Sequence, residues 1–360
     1  MVEPIYRKLA ERLDAIPNGF PATESGVELL LLARIFTPDE AGLAAVMRLT
    51  REPAADIAAR AGVEPQTAAR VLKQMARKGL IVAGRGTQGL SYGLMPFIVG
   101  IYEEQLGRMD ETLAALFEQY YHECRATMVT QTPSVHRVIP VEQAIPVTLE
   151  ILPYESASQM LDAAQAWGVR DCICRVQKQL IGEGCDHPLE VCLIFAPVAG
   201  VFDHSEVTRA ITKAEAFAIL REAEEAGLVH SPGNYRDGTS YICNCCTCSC
   251  GILRSVAELD MPTAVARANF IATVDEAVCS GCGDCGERCQ FGALAVGDDG
   301  VAVINEVRCV GCGQCTLACT TGALVLERRP IGQVAPPPAD QQEWLVQRAA
   351  SRRMDLTGIS

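Results

Sequence analysis

The sequence is poor in the features that mark membrane and secreted proteins. Its longest apolar run, residues 191–202, contains Pro197 and spans about 12 residues, well short of the roughly 20 that cross a bilayer. The first residues lack the basic-then-apolar order of a signal peptide. We therefore expect a cytoplasmic protein without a membrane span, in a reducing compartment where cysteines remain thiols.

Motifs of the common nucleotide-dependent and flavin enzymes are also missing. There is no P-loop and no flavin motif. Residues 84–89 match G-x-G-x-x-G, but a strand-like segment follows where a dinucleotide site needs a helix N-terminus. We interpret these glycines as a hairpin turn. The five histidines, which show no spacing typical of metal ligands, are His122, His136, His187, His204 and His230.

Cysteine, in contrast, is present in excess. The chain of 360 residues has 18 cysteines, of which only Cys124 precedes residue 172 and none follows residue 319. Apolar residues make up 49% and charged residues 21%, a composition that excludes wholesale disorder. Aromatic residues make up only 5%, which favours aliphatic, helix-rich cores. Clustered thiols in a reducing compartment are typical of metal ligands and seldom of disulfides.

Helix start and stop signals organise the first 95 residues. Thr37 begins a capping box, Gly62 and Gly79 end two further helices, and two short strands follow around a glycine-rich turn. Three helices and a hairpin resemble a winged helix-turn-helix domain. The third helix, residues 65–78, has an inward face of Ala68, Val71, Leu72 and Met75. Its outward stripe carries the candidate DNA contacts Arg70, Lys73 and Arg77.

Coarser patterns predict the structure up to the main cysteine motif. Residues 97–128 are expected to form one long helix that packs on the first domain or forms a homodimer. A strand is expected at residues 147–151 and a helix at about 156–167. A second helix is expected to begin at the capping box Thr212–Glu215 and to end at Gly227.

Two copies of the pattern C-x-x-C-x-x-C-x-x-x-C stand 30 residues apart. The first has Cys279, Cys282, Cys285 and Cys289, and the second has Cys309, Cys312, Cys315 and Cys319. This tandem repeat closely resembles the bacterial ferredoxin with two [4Fe-4S] clusters. The resemblance implies interleaved ligands, because in that family the fourth cysteine binds the other cluster. Cluster 1 would take Cys279, Cys282, Cys285 and Cys319, and cluster 2 would take Cys309, Cys312, Cys315 and Cys289.

The repeat departs from the family at one equivalent pair of positions. The family usually has proline after the fourth cysteine, whereas Gln290 and Thr320 stand there in this chain. The departure affects the local turn and the surroundings of the sulfur atoms, and with them the reduction potentials. It leaves the eight ligands intact.

Nine further cysteines lie between the first domain and this repeat. They are Cys172, Cys174, Cys185, Cys192, Cys243, Cys245, Cys246, Cys248 and Cys250. We interpret them as ligands of one or two additional [4Fe-4S] clusters, with zinc as the alternative. Cys245 and Cys246 are adjacent and would point to opposite sides of an extended backbone, so they can serve different sites. Arg175 is a candidate hydrogen-bond donor to cluster sulfur, or an ordinary surface arginine.

These patterns predict an α+β, multidomain protein. Its parts are a winged-helix domain with a lead-in (1–95), a long connecting helix (96–133), a mixed α/β cysteine-rich domain (134–270), a ferredoxin-like dicluster domain (271–329), and a Pro-rich linker with a C-terminal tail (330–360).

Three functions remain open from the sequence. The first is an iron-sulfur electron-transfer protein that serves a partner oxidoreductase. The second is a redox- or oxygen-sensing regulator that binds DNA; residues 51–92 carry a net charge of +4, although the whole chain carries −13. The third is an iron-sulfur reductase that holds its substrate at the middle-domain cluster. The complete tandem repeat favours the first.

Overall fold

The chain divides into two units in this computed structural model, which describes residues 3–86, 89–205 and 207–358. The first unit comprises Met1–Thr132, Leu180–Gly182 and Leu345–Ser360. The second comprises Pro133–Gln179 and Glu183–Trp344, so that the cysteine-rich segment and the tandem repeat belong to one unit.

The first unit contains six helices and a small sheet among its described residues. The helices are α1 (Pro4–Asp14), α2 (Val27–Ile35), α3 (Pro38–Ala44), α4 (Ala54–Ala61), α5 (Pro65–Arg77) and α6 (Glu111–Val129). The strands β1 (Glu52–Pro53), β2 (Ile81–Gly86) and β3 (Gly89–Leu94) form an antiparallel sheet in the order β1-β3-β2. The hairpin of β2 and β3 is thus present, and the two residues predicted at its tip, 87 and 88, lie outside the described residues.

Local signals set the helices of this unit. The capping box is formed, with the Glu40 N–H donating to the Thr37 hydroxyl and the Thr37 N–H donating to the Glu40 carboxylate at 2.9 Å. Helix α5 buries the four predicted side chains, Ala68, Val71, Leu72 and Met75, and this confirms its inward face.

The prediction of one helix over residues 97–128 was wrong for residues 97–110. Helix α6 begins only at Glu111, where the Asp110 side chain accepts the Leu113 N–H at 2.8 Å. Short turns at Phe97–Ile101 and Glu103–Arg108 precede it. Gly100 weakens helix propensity in this stretch, and the aspartate N-cap supplies a better start further along.

The second unit is built around an antiparallel sheet of five strands. These are β4 (Ala166–Asp171), β5 (Glu190–Ala196), β6 (Arg209–Ile211), β7 (Val229–Ser231) and β8 (Tyr241–Cys245), in the order β6-β4-β5-β8-β7. Four shorter strands form two antiparallel pairs: β9 (Phe270–Val274) with β12 (Leu324–Arg328), and β10 (Leu294–Val296) with β11 (Ala302–Ile304).

Helices cover one face of the five-stranded sheet. The helices of the unit are α7 (Ala157–Asp162), α8 (Ile173–Leu180), α9 (Lys213–Glu225), α10 (Gly251–Leu259), α11 (Asp284–Arg288) and α12 (Gln314–Ala318), and α13 (Gln341–Ser351) has residues in both units. Leu161 of α7 and Leu220 of α9 pack with Val191, Leu193 and Ile242 of the sheet in the buried core. Because side chains alternate along a strand, the neighbours of these core residues point to the opposite face of the sheet.

Two predictions for this unit were wrong. Residues 147–151 form no strand and pair with no described strand, and the Val147 side chain is fully exposed. The helix expected to reach residue 167 ends at Asp162, because residues 166–171 pair with β5 and β6 as strand β4. Helix α9 follows its capping box and ends before Gly227, as predicted.

Within the described residues, no helix combines the length and the apolar character needed to span a membrane.

Candidate metal centres

The two cysteine repeats fold alike. In each, a glycine is the N-cap of a five-residue helix, Gly283 for α11 and Gly313 for α12, and the fourth cysteine is its C-cap. Gly281 and Gly311 have φ values of 65° and 77°, and a Cβ on either would lie 2.1 Å from a backbone carbonyl oxygen. Both positions therefore require glycine, which lets each loop pass close to another backbone segment of the same chain.

A small pocket lies beside the second repeat. Cys309, Cys312 and Cys315 line it together with Cys289 of the first repeat. Burial raises the pKa of Cys312 to about 12. Such thiols stay protonated unless a bound cation replaces their protons, so the donor set and the cavity fit a metal cluster.

The remaining four cysteines of the repeats are less buried. Burial raises the pKa of Cys285, and the nearby thiols of Cys282 and Cys319 add to the effect. Burial also acts to raise the pKa of Cys319, but hydrogen bonds from Thr321 and from backbone N–H groups outweigh it and the net shift is downward. Cys282 is exposed. The grouping of Cys319 with the first repeat mirrors that of Cys289 with the second.

Gln290 has a specific role in the structure although the family has proline at its position. Its side-chain oxygen accepts the Thr247 N–H at 2.7 Å, and its amide nitrogen donates to the Gly227 carbonyl. Thr247 lies in the middle of the cysteine-rich segment 243–250. The side chain that follows Cys289 therefore ties the repeat directly to the second cysteine region. Thr320, its counterpart, is exposed.

The nine middle cysteines separate into a group of six and a group of three. In the six-thiol ring, each thiol interacts with two others. Their order around the ring is Cys172, Cys192, Cys243, Cys245, Cys250 and Cys174.

Strand geometry explains half of this ring. Side chains alternate between the faces of a sheet, and Leu193 and Ile242 belong to the helix-covered core. Cys192, Cys243 and Cys245 must therefore lie on the opposite face. Leu193 pairs with Ile242 across β5 and β8, and one further step of that register places Cys192 beside Cys243.

Helix N-termini contribute two more members. Cys172 precedes α8 and Cys250 caps α10. The pKa of Cys172 is held well below its usual range, first by hydrogen bonds from the thiols of Cys174 and Cys192 and then by the Arg175 charge and N–H. The pKa of Cys250 is lowered in the same way by Cys174 and Cys245, with help from the Leu253 N–H. Both sites favour thiolate, the form that binds metal.

Two buried polar side chains near the ring have unpartnered atoms among the described residues. Neither ring nitrogen of His136 has a hydrogen-bond partner, although the residue is only 4% exposed and its ring interacts electrostatically with Cys250. The Arg175 Nε is likewise unpartnered, while its terminal nitrogens donate to the Pro188 and Asn244 carbonyls at 2.7 Å. Buried donors without partners are uncommon and indicate a missing acceptor.

The second group consists of Cys185, Cys246 and Cys248 with His187. All four ligand atoms lie within 4.8 Å of one another. Burial acts to raise the pKa of Cys246, but the His187 ring and the Arg175 guanidinium outweigh it and lower the pKa to about 7. Sequence reasoning missed His187, because only Cys185 lies near it in the sequence and its other two partners come from a distant segment.

The other candidate residues lie elsewhere. Arg70, Lys73 and Arg77 are exposed on α5 in the first unit, and none forms an ion pair with a residue that the structure describes. His230 is a satisfied core residue: its ring nitrogens lie 2.6 Å from the Asn244 side-chain oxygen and 3.3 Å from the Glu224 carboxylate.

The cysteine geometry defines a protein that binds metal clusters, and comparison with known families gives the class of cluster. The family model described as a 4Fe-4S dicluster domain matches residues 278–324. This match confirms the predicted two-cluster iron-sulfur domain near the C-terminus and indicates iron-sulfur electron transfer as its chemistry. Neither the curated proteins nor the solved structures contain a significant match to this chain.

Proposed function

We propose that this protein transfers single electrons between a partner oxidoreductase and a cluster held by its six-thiol ring, with the dicluster domain as the conductor between them. The observation that carries the proposal is the side chain of Gln290. It joins the repeat next to Cys289 to Thr247, in the middle of the segment that provides half of the ring. When bound, each [4Fe-4S] cluster accepts and releases one electron.

In the dicluster domain, we propose the interleaved ligand sets. Cluster 1 takes Cys279, Cys282, Cys285 and Cys319, and cluster 2 takes Cys289, Cys309, Cys312 and Cys315. The cavity lined by the second set supports this assignment, because it includes Cys289 of the first repeat and no other cysteine of that repeat.

The burial of the ligands suggests the order of the clusters along the electron-transfer route. In the first set only Cys285 is buried and Cys282 is exposed, whereas in the second set Cys309 and Cys315 are buried and no cysteine is exposed. An external partner would therefore meet cluster 1 at the surface, and cluster 2 would stand between it and the ring.

The ring would hold at least one further [4Fe-4S] cluster. Two features support this assignment: the N-terminal ends of α8 and α10 favour negative charge there, and His136 and the Arg175 Nε are buried donors without partners. Donors of this kind hydrogen-bond to cluster sulfur and raise its reduction potential.

Anaerobic iron and sulfide analysis of the full chain tests the proposal. Three [4Fe-4S] clusters predict about twelve irons per chain, with about eight from the dicluster domain. Four irons or fewer, with zinc in their place, would contradict it. Shortening the chain to remove the repeat is unsuitable, because Arg288, Gln290 and Gln314 all donate to carbonyls at the end of α9 or just after it.

A second candidate function is supported by α5. Its exposed Arg70, Lys73 and Arg77, together with the hairpin of β2 and β3, fit the winged-helix interpretation of residues 1–95 and a redox-dependent DNA-binding regulator. A mobility shift on promoter-length duplexes, with oxidised and reduced protein, tests it. Binding should weaken when the three residues are replaced by alanine. Absence of any shift in both states would remove this candidate.

A further inference from the structure

The four ligand atoms of Cys185, His187, Cys246 and Cys248 are spaced for one ion. The Cys185 and Cys246 sulfurs are 4.0 Å apart, and the His187 Nδ1 lies 3.3 Å from Cys185 and 3.9 Å from Cys248. Four tetrahedral ligands of zinc, with bonds of about 2.3 Å to sulfur and 2.0–2.1 Å to nitrogen, lie about 3.5–3.8 Å from one another. The observed distances are close to these values before any metal draws the ligands inward.

A four-iron cubane does not fit the same four atoms. Its ligands bind four different irons at alternate corners of the cluster, so the thiolates are held apart on its outside. Here all four atoms lie within 4.8 Å of one another, which leaves room for a single ion. In the part of the chain that the structure describes, this is the one group of histidine, cysteine or carboxylate ligands gathered so closely.

We propose that Cys185, His187, Cys246 and Cys248 bind one structural zinc ion, separate from every iron-sulfur cluster of the protein. Three thiolates and one imidazole form a set that zinc takes in closed structural sites. Because zinc has no redox chemistry, the site would stabilise the fold and take no part in electron transfer.

The charge around the site fits this occupant. Zinc with three thiolates and a neutral histidine carries a net charge of −1. The Arg175 guanidinium is fully buried and forms a hydrogen bond with Cys246, so its positive charge lies where the site needs it. Ser249 adds a polar contact, with its hydroxyl 3.7 Å from the Cys185 sulfur.

The position in the fold explains what the zinc would do. Cys185 and His187 lie in the loop between α8 and β5, and Cys246 and Cys248 lie in the turn after β8. Cys245 and Cys250, on either side of this turn, belong to the six-thiol ring. A zinc ion would therefore fix the turn to the loop and hold the ring thiols in place.

Zinc-edge X-ray absorption and metal analysis of the anaerobically purified full chain test the proposal. We expect about one zinc per chain, in a shell of three sulfurs and one nitrogen with zinc–sulfur distances of about 2.3 Å. A shell of four sulfurs would indicate zinc in a cysteine-only cluster site and would overturn the assignment. So would a chain that holds iron in place of zinc at these ligands.

Variants at His187 separate this site from the clusters. His187→Ala should lose the zinc and keep the iron, whereas His187→Cys should keep the zinc and convert its shell to four sulfurs. His204→Ala, at an exposed histidine outside both groups, is the matched control and should change neither metal. Retention of a three-sulfur, one-nitrogen shell in His187→Cys would overturn the proposal even if the alanine variant fails to fold. Iron and zinc contents are measured independently. Failure of the electron-transfer proposal would appear as a loss of iron while the zinc content stays at about one per chain.

Discussion

The two cysteine regions of the second unit assemble their thiols by different means. In the tandem repeat, each proposed set of ligands comes from one short motif plus a single cysteine of the other motif, and glycines shape the loop around them. In the middle region, six thiols come from the end of β4, the start of α8, strands β5 and β8, and the start of α10. The first arrangement is local, whereas the second exists only once a sheet has formed in the correct register.

In the repeat, the ligand geometry depends on the spacing within a short motif, whereas in the middle region it depends on the fold of the whole unit. The repeat would keep its ligand geometry in many structural contexts, because its spacing is set by short loops. The ring and the proposed zinc site depend on long-range pairing across residues 172–250. We therefore expect the middle region to be the more sensitive of the two to changes in packing.

The largest expected effect tests the interleaving of the repeat. Cys285→Ser with Cys289→Ser removes one ligand from each proposed cluster and should cost about eight irons per chain. Cys289→Ser with Cys315→Ser removes two ligands from one cluster and should cost about four. The measurement is iron and sulfide content with EPR of the reduced protein. The reverse pattern would mean that each cluster takes its ligands from a single repeat.

The second prediction concerns the ring. Cys192→Ser with Cys243→Ser removes a cross-strand pair from the proposed cluster and should lower the iron content by about four per chain, with zinc unchanged. The matched control is Cys124→Ser, because that buried thiol has a pKa raised to about 12 by desolvation and lies outside every cysteine group. Unchanged iron in the double variant would show that the ring is not a cluster site.

The third prediction tests the connection between the two regions. Gln290→Pro restores the residue usual in the family and removes the hydrogen bonds to Thr247 and Gly227, so it should lower the free energy of unfolding by about 1–3 kcal/mol. Thr320→Pro makes the same change in the second repeat at an exposed position, and we expect less than about 0.5 kcal/mol.

Anaerobic chemical denaturation followed by cluster absorbance measures both variants. Each retains all eight ligands, so the iron content of the folded protein should stay constant. Equal destabilisation by the two prolines would show that the Gln290 contacts contribute nothing beyond the turn itself.

The smallest expected effect is a change in the reduction potential of the proposed ring cluster. His136→Phe keeps an aromatic ring of similar size and removes two nitrogens that have no hydrogen-bond partner within the described protein, so we expect the variant to fold. If His136 donates to cluster sulfur, its loss should lower the reduction potential of the ring cluster by on the order of 50 mV, the equivalent of one hydrogen bond. An EPR-monitored redox titration should show this shift while the two clusters of the repeat keep their potentials. A shift in all three, or in none, would contradict the placement of His136.

Much of the structure follows from local sequence signals. The inward face of α5 and the capping box of α9 are fixed by residues within a few positions of one another, and both form as predicted. The tandem repeat is recognisable for the same reason, since its ligands recur at fixed short spacings.

Other features depend on partners distant in sequence. The strand expected at residues 147–151 has the right composition, but no strand among the described residues pairs with it. The placement of Cys192 beside Cys243 follows from the register of β5 and β8, which spacing does not reveal. His187 lies 59 residues before Cys246, and only the folded loop brings the two together.

The alternation of thiols along β8 and its following turn restricts how this segment can vary over evolution. Cys243 and Cys245 face the ring, and Cys246 belongs to the other group only one position later. Insertion or deletion of one residue within β8 would reverse the facing of Cys243 or Cys245 and disrupt both groups at once. Homologous chains should therefore show constant length across residues 243–250, even where the surrounding sequence has diverged.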